Sequence, residues 1–137
     1  MTGLFRAAFD GGSRGNPGIA AWGVAVLDDS GACIEEHAGL LGRTTNNVAE
    51  YHGLLEALKL ARAAAARRVE LLSDSELIVR QIQGRYRVKN PGLKPLFIEA
   101  MGYIAAFESF AISHVRREDN RVADRLVNET LDRAMSD

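Results

Sequence analysis

Cysteine is almost missing from this chain. Cys33 stands alone, which excludes an internal disulfide framework and a multi-cysteine zinc site and fits a reducing compartment. Its simplest reading is a small apolar strand residue. Long apolar runs are missing too: no segment stays apolar over the roughly 18 residues that a membrane span needs. The opening "MTGLFRAAFDGG" also lacks the apolar run of a signal peptide. The expectation is a soluble, cytoplasmic protein with no membrane partner and no obligate protein partner. Neither sign of charge dominates, since the formal net charge is -1; this excludes a disordered acidic tail and a wholly basic nucleic-acid coat. Repeats, low-complexity tracts and internal linkers are lacking, so residues 1–137 read as one domain. Its 47% hydrophobic content is enough to fill one core.

What is there falls into short, alternating segments. Residues 4–10 (LFRAAFD) and 20–28 (AAWGVAVLD) are apolar and bounded by Gly, Pro or Asp, as strands are, and "ACIEEHAGLL" after the "DDSG" turn supplies a third. The three read as an antiparallel meander. From Asn47 the spacing becomes helical through Tyr51, Leu54, Leu55, Leu58 and Ala61, and the alanines at 63–66 extend that helix. A strand over 67–74 and a short helix stopping at Gly84 come next. An amphipathic helix through Leu93, Leu96, Phe97, Ala100, Met101 and Ile104, a strand from Phe110 to Val115 and a final helix from about Ala123 complete the chain. Strands joined through helices run parallel as a rule, so the expected fold class is α/β, one mixed sheet covered by helices.

Four acids fall where these elements meet. Asp10 ends the first strand or sits in its last residues, Glu50 lies in the first turn of the helix near Asn47, Asp74 marks a strand-to-helix junction, and Asp124 opens the last helix. Acids in first helical turns answer the helix dipole and its unpaired N–H groups. "NVAE" with Asn47 as cap, "SDSE" at 73–76 and Asn120 before the last helix all fit that reading. Asp10 does not. Aspartate has poor strand propensity, and burying its charge costs several kcal/mol unless a cation pairs with it. Arg6, the one cation in that strand, is too far along for direct contact. A metal ion is the economical partner, and oxygen-only ligation points to Mg²⁺ or Mn²⁺.

Four motifs carry a resemblance: "DGGSRGNPG" (10–18), "TTNNVAEYHGLLEAL" (44–58), "LLSDSELIVRQI" (71–82) and "REDNRVADRLVNE" (117–129). In this order, over nearly the whole chain, they resemble ribonuclease H type 1. The resemblance implies a ribonuclease H-like fold: a five-stranded mixed sheet, its first three strands antiparallel, with helices on both faces. It implies an endonuclease that cuts the RNA strand of RNA–DNA hybrids, with Asp10, Glu50, Asp74 and Asp124 both catalytic and holding two Mg²⁺ ions, Mn²⁺ being the alternative. Asp10 would bridge both ions, Asp124 would serve the water-side ion, and Glu50 and Asp74 the other. The rival readings are a non-catalytic module of this fold that binds hybrid or double-stranded RNA, and an interaction protein whose acids only cap helices.

Glycines at 11, 12, 15 and 18 let a polynucleotide approach the main chain closely. Gly11 and Gly12, together with Ser13 and Ser75, are expected at the substrate. By the resemblance, Asn16, Asn46 and Asn47 face the minor groove, where amides can read a 2′-hydroxyl; the plain alternative for Asn46 and Asn47 is turn and cap duty. Arg80, Arg85, Arg87, Lys89 and Lys94 surround Tyr86 in a window without acids, expected to meet phosphates, with Arg85 and Lys89 as the chosen contacts. The chain departs from many bacterial members in having no room for a basic handle between Gly84 and Pro91, and so resembles the short branch shared with archaeal proteins and plant reverse-transcriptase-like domains. It also lacks a histidine on the "VRREDN" loop before the last acid. His114 has a suitable offset from Asp124 for that histidine's role but reads more simply as a partly buried strand residue, and Arg117 is the other candidate for the loop position and for a substrate contact.

Overall fold

A computed structural model describes residues 3–136. Strands β1 (Leu4–Gly15), β2 (Gly18–Leu27) and β3 (Cys33–Thr44) form the meander, followed by α1 (Asn46–Ala63), β4 (Arg68–Ser73), α2 (Glu76–Ile82), α3 (Lys94–Ala105), β5 (Ser109–His114) and α4 (Arg121–Met135). The strand order is β3-β2-β1-β4-β5. β1–β2 and β2–β3 are antiparallel, whereas β4 runs parallel to both β1 and β5. The expected five-stranded mixed sheet is the one observed.

Alternation along β1 decides what each face carries. Ala7 and Phe9 enter the main core with Val24, Val26, Leu54, Leu58 and Leu71 beneath α1. The opposite face meets α4, where Ala21 packs with Val127 and Leu131. Helices thus cover both faces. α3 packs on α1, and α2 lies against β4, β5 and α1.

Several sequence expectations need correction. β1 runs on to Gly15, so Asp10 lies in the middle of a strand and the glycines after it are paired with β2. The reason is tertiary: a Cβ on Gly11 would lie 2.2 Å from the Ala49 carbonyl carbon and oxygen, and one on Gly53 would lie 2.5 Å from the Asp10 carbonyl oxygen. These glycines allow the α1 backbone to seat directly on β1. The alanines do not prolong α1, because it ends at Ala63 and Ala65 takes φ 55. Thr45, not Asn47, is its N-cap, its hydroxyl accepting from Val48 N, which moves Glu50 beyond the first turn. Ser75 rather than Ser73 caps α2. Asn120 precedes α4 without capping it by its side chain. His114 is exposed at the end of β5, not partly buried.

Candidate active site

The parallel register does the first part of the assembly. Phe9 pairs with Ser73, and Ser73 with His114, so Asp10 and Asp74 follow side by side where β1 and β4 run in parallel. α1, held close by Gly11 and Gly53, brings Glu50 to the same place. One carboxylate oxygen each from Asp10, Glu50 and Asp74 lies within 4.8 Å of the others. Asp124, from the first turn of α4, stands outside that tight trio but lines the same groove of about 490 Å³.

Each acid has a supporting contact from the chain. The Gly11 N–H donates to Asp10. The Ser75 hydroxyl donates to Glu50, so this residue, expected at the substrate, is engaged with an acid and with the α2 cap. Asn120 hydrogen-bonds to Asp74. Arg117 Nη2 lies 3.6 Å from Asp124 Oδ1.

These contacts do not neutralise the cluster. Burial, then Asp74 and, more weakly, Asp124 and Glu50, hold the Asp10 carboxyl up at about 8. Burial and Asp74 push Glu50 to about 7. Burial raises Asp74 as well, Asp124 adding to it against the lowering pull of Arg117, Asn120 and His114. Three crowded carboxyls that resist ionisation describe a place short of positive charge. The donors are all oxygens, the set a hard divalent cation prefers to zinc. The residues present therefore fit Mg²⁺ or Mn²⁺.

Around the acids, Gly11, Gly12, Ser13, Arg14, Asn46, Arg117, Val127, Asn128 and Leu131 complete the groove lining. Asn46 Oδ1 accepts from Ser13 N at 2.8 Å and from Ser13 Oγ at 3.0 Å, while Asn16 Oδ1 accepts from Asn46 N at 3.0 Å. Both amide oxygens are thus occupied within the protein. The NH₂ ends remain as donors. Asn47 is half-buried as the second residue of α1 and does not line the groove.

The basic segment lies elsewhere. Arg85, Arg87 and Lys94 line a second groove with Tyr86, Phe97 and Ile98, and Lys89 is exposed nearby in sequence. Sequence reasoning missed Arg14 and Asn128 at the acid groove. Arg14 Nη2 lies 2.8 Å from Asp132 Oδ1 and 3.3 Å from Asn128 Oδ1, tying the β1–β2 hairpin to α4. Only the helical spacing of Asp124, Asn128 and Asp132 hinted at it. Asn120 stands where a cap is expected but turns its amide to the Phe9 carbonyl instead, and His114, expected to be structural, lies near enough to Asp74 to lower it.

Comparison with known proteins agrees with this geometry. The family model described as "Reverse transcriptase-like" matches residues 8–130. Ribonuclease HI of Halobacterium salinarum is 39% identical over 132 residues, 96% of this chain and 66% of that protein. The crystal structure of RNase H1 from this archaeon superposes with a TM-score of 0.90 at 38% identity, covering 95% of this chain and 98% of the other. The bifunctional Mycobacterium tuberculosis protein Rv2228c is 42% identical over 91% of this chain, which spans only 35% of that relative's length. LC11-RNase H1, solved in complex with RNA/DNA hybrid, gives a TM-score of 0.90 at 42% identity over 96% of this chain and 99% of its own. With a family model spanning nearly the whole chain, an archaeal relative matched in both sequence and fold, and four acids brought to one groove, the chain belongs to the ribonuclease H type 1 family.

Proposed function

We propose that this chain is an endoribonuclease that hydrolyses the RNA strand of RNA–DNA hybrids, using Asp10, Glu50, Asp74 and Asp124 to hold two Mg²⁺ ions, with Mn²⁺ as a substitute. The observation that carries the reading is the meeting of Asp10, Glu50 and Asp74 oxygens within 4.8 Å in the groove that Asp124 also lines. Divalent ions held by these acids would supply the chemistry of an in-line displacement, an activated water and charge to stabilise the leaving 3′ oxygen. Asp10, at the centre of the cluster, would hold them together with Glu50, Asp74 and Asp124.

The remaining groups orient the substrate. Asn16 and Asn46 offer N–H donors, which suits the oxygen of a ribose 2′-hydroxyl. Gly12 keeps the strand surface bare beside them. Arg117, 79% exposed at the side chain, is free to turn toward a phosphate, and Arg85 and Lys89 extend the cationic surface beyond the acid groove. A non-catalytic binder gains nothing from four acids where phosphates must sit. We further propose that residues 1–137 act as one cytoplasmic catalytic domain that needs no protein partner. No helix among the described residues is long and apolar enough to cross a membrane. Double-stranded RNA is the second substrate to test.

Matched RNA–DNA, RNA–RNA and DNA–DNA duplexes, incubated with Mg²⁺ and then with chelator, decide the reading. The expected result is metal-dependent cleavage of the RNA strand of the hybrid. Cutting of the DNA strand, or cutting that survives chelation, overturns it.

A further inference from the structure

Asn120 is 2% exposed, stands four residues before Asp124, and contributes nothing to helix capping through its side chain. Its Nδ2 donates to the Phe9 carbonyl at 3.0 Å. That carbonyl belongs to the peptide unit leading into Asp10. A carbonyl can only accept, so the amide orientation is fixed: NH₂ faces β1 and Oδ1 faces away. The same side chain hydrogen-bonds to the Asp74 carboxylate. Its backbone carbonyl accepts from Asp124 N at 3.1 Å, the first helical bond of α4. One residue thus touches the main chain beside Asp10, the carboxylate of Asp74 and the main chain of Asp124.

The orientation has a penalty. Asn120 Oδ1 is the one buried side-chain oxygen or nitrogen left without a partner among the described residues. If Asn120 merely filled space, an apolar residue would serve better, since it would leave no unpaired acceptor. What a short amide provides here is an N–H donor to the β1 carbonyl on a side chain that also lies against the Asp74 carboxylate.

We propose that Asn120 is a positioning residue that sets the mutual spacing of Asp10, Asp74 and Asp124 and thereby the affinity of the site for divalent cations. The proposal rests on reading the four carboxylates as an ion site. Loss of the amide frees the Phe9 carbonyl and the Asp74 carboxylate to shift, and α4 is no longer pinned through this side chain to the centre of the sheet. Residues that orient metal ligands in this way typically change affinity by about 10- to 100-fold when removed.

The test is calorimetric titration of Mn²⁺, without nucleic acid, into wild type, Asn120→Ala, Asn120→Ser and Val69→Ala. Val69 is buried at the far end of β4, and its truncation provides destabilisation without touching the site. Expected are a rise of about tenfold or more in the Mn²⁺ dissociation constant for Asn120→Ala, a smaller rise for Asn120→Ser, which keeps a hydroxyl donor, and none for Val69→Ala. Hybrid cleavage by the Asn120 variants should then lose kcat with KM for hybrid unchanged. Should Asn120→Ala fail to fold, the Asn120→Ser comparison carries the same decision. Wild-type Mn²⁺ affinity in a folded Asn120 variant, or an equal loss in Val69→Ala, overturns the positioning role while leaving the nuclease reading intact. If wild type itself binds no Mn²⁺, both fall.

Discussion

Replacing Asp10 by asparagine should stabilise the ion-free protein, and more so as pH rises. Asp10 is 8% exposed, and burial beside Asp74, Asp124 and Glu50 holds its carboxyl at about 8 against an ordinary value of 3.8. Between those values the folded chain keeps a proton that the unfolded chain has released. Raising the pH therefore favours unfolding, and the stability tied to this group is complete below about pH 4 and lost as pH climbs through about 8. At about 1.4 kcal/mol for each pH unit, the window of roughly four units sets a ceiling of about 6 kcal/mol. Glu50, raised to about 7, adds a contribution of the same sign that the variant retains. An asparagine amide does not titrate and escapes the Asp10 contribution. Urea unfolding of wild type and Asp10→Asn in chelator, at steps from pH 5 to 8, reads the difference directly. The two should be close at the acid end and diverge toward pH 8, with excess Mg²⁺ narrowing the gap because ions bound only by the folded state stabilise it. A gap that stays constant across the range, or an asparagine variant less stable at pH 8, would refute the electrostatic reasoning.

Gly11→Ala should cost about 3 kcal/mol or more, because the new methyl meets the Ala49 backbone at 2.2 Å and no side chain can yield; a melting temperature within about 2 °C of wild type would contradict this. Arg85→Ala and Lys89→Ala should each flatten the salt dependence of hybrid binding, lowering the slope of log affinity against log salt by about 1, and slopes that superimpose on wild type would remove these residues from the phosphate contacts.

The sequence made the outline readable because period and punctuation are local signals. Apolar spacing located the five strands and four α-helices, and it placed Asp74 and Asp124 at the starts of elements. Asp10 and Glu50, expected near element ends, lie inside β1 and α1 and reach the site through tertiary packing. What it hid depended on partners distant in the chain. Gly11 and Gly12 have loop composition, yet they are strand because α1 lies on one of them and α4 near the other. Asn47 and Thr45 are both good caps on composition, and only the turn of the chain chose Thr45. Asn120 has the residue type and position of a cap, and its side chain is diverted by a carbonyl 111 positions earlier. His114 alternates with apolar neighbours as a buried residue would, but it sits on the last rung of an edge strand with nothing to cover it.

Where α1 crosses β1 there is no cushion of side chains, only peptide plane against peptide plane at Gly11 and Gly53. The separation of the Glu50 and Asp10 backbones is accordingly gauged by covalent dimensions of the main chain rather than by intervening side chains that loosen on warming. Such a gauge does not drift. Heating should leave the spacing of these two backbones unchanged until the domain melts as a whole, and random substitution elsewhere in the core can wear away its margin of stability without moving the main chains that carry the two acids.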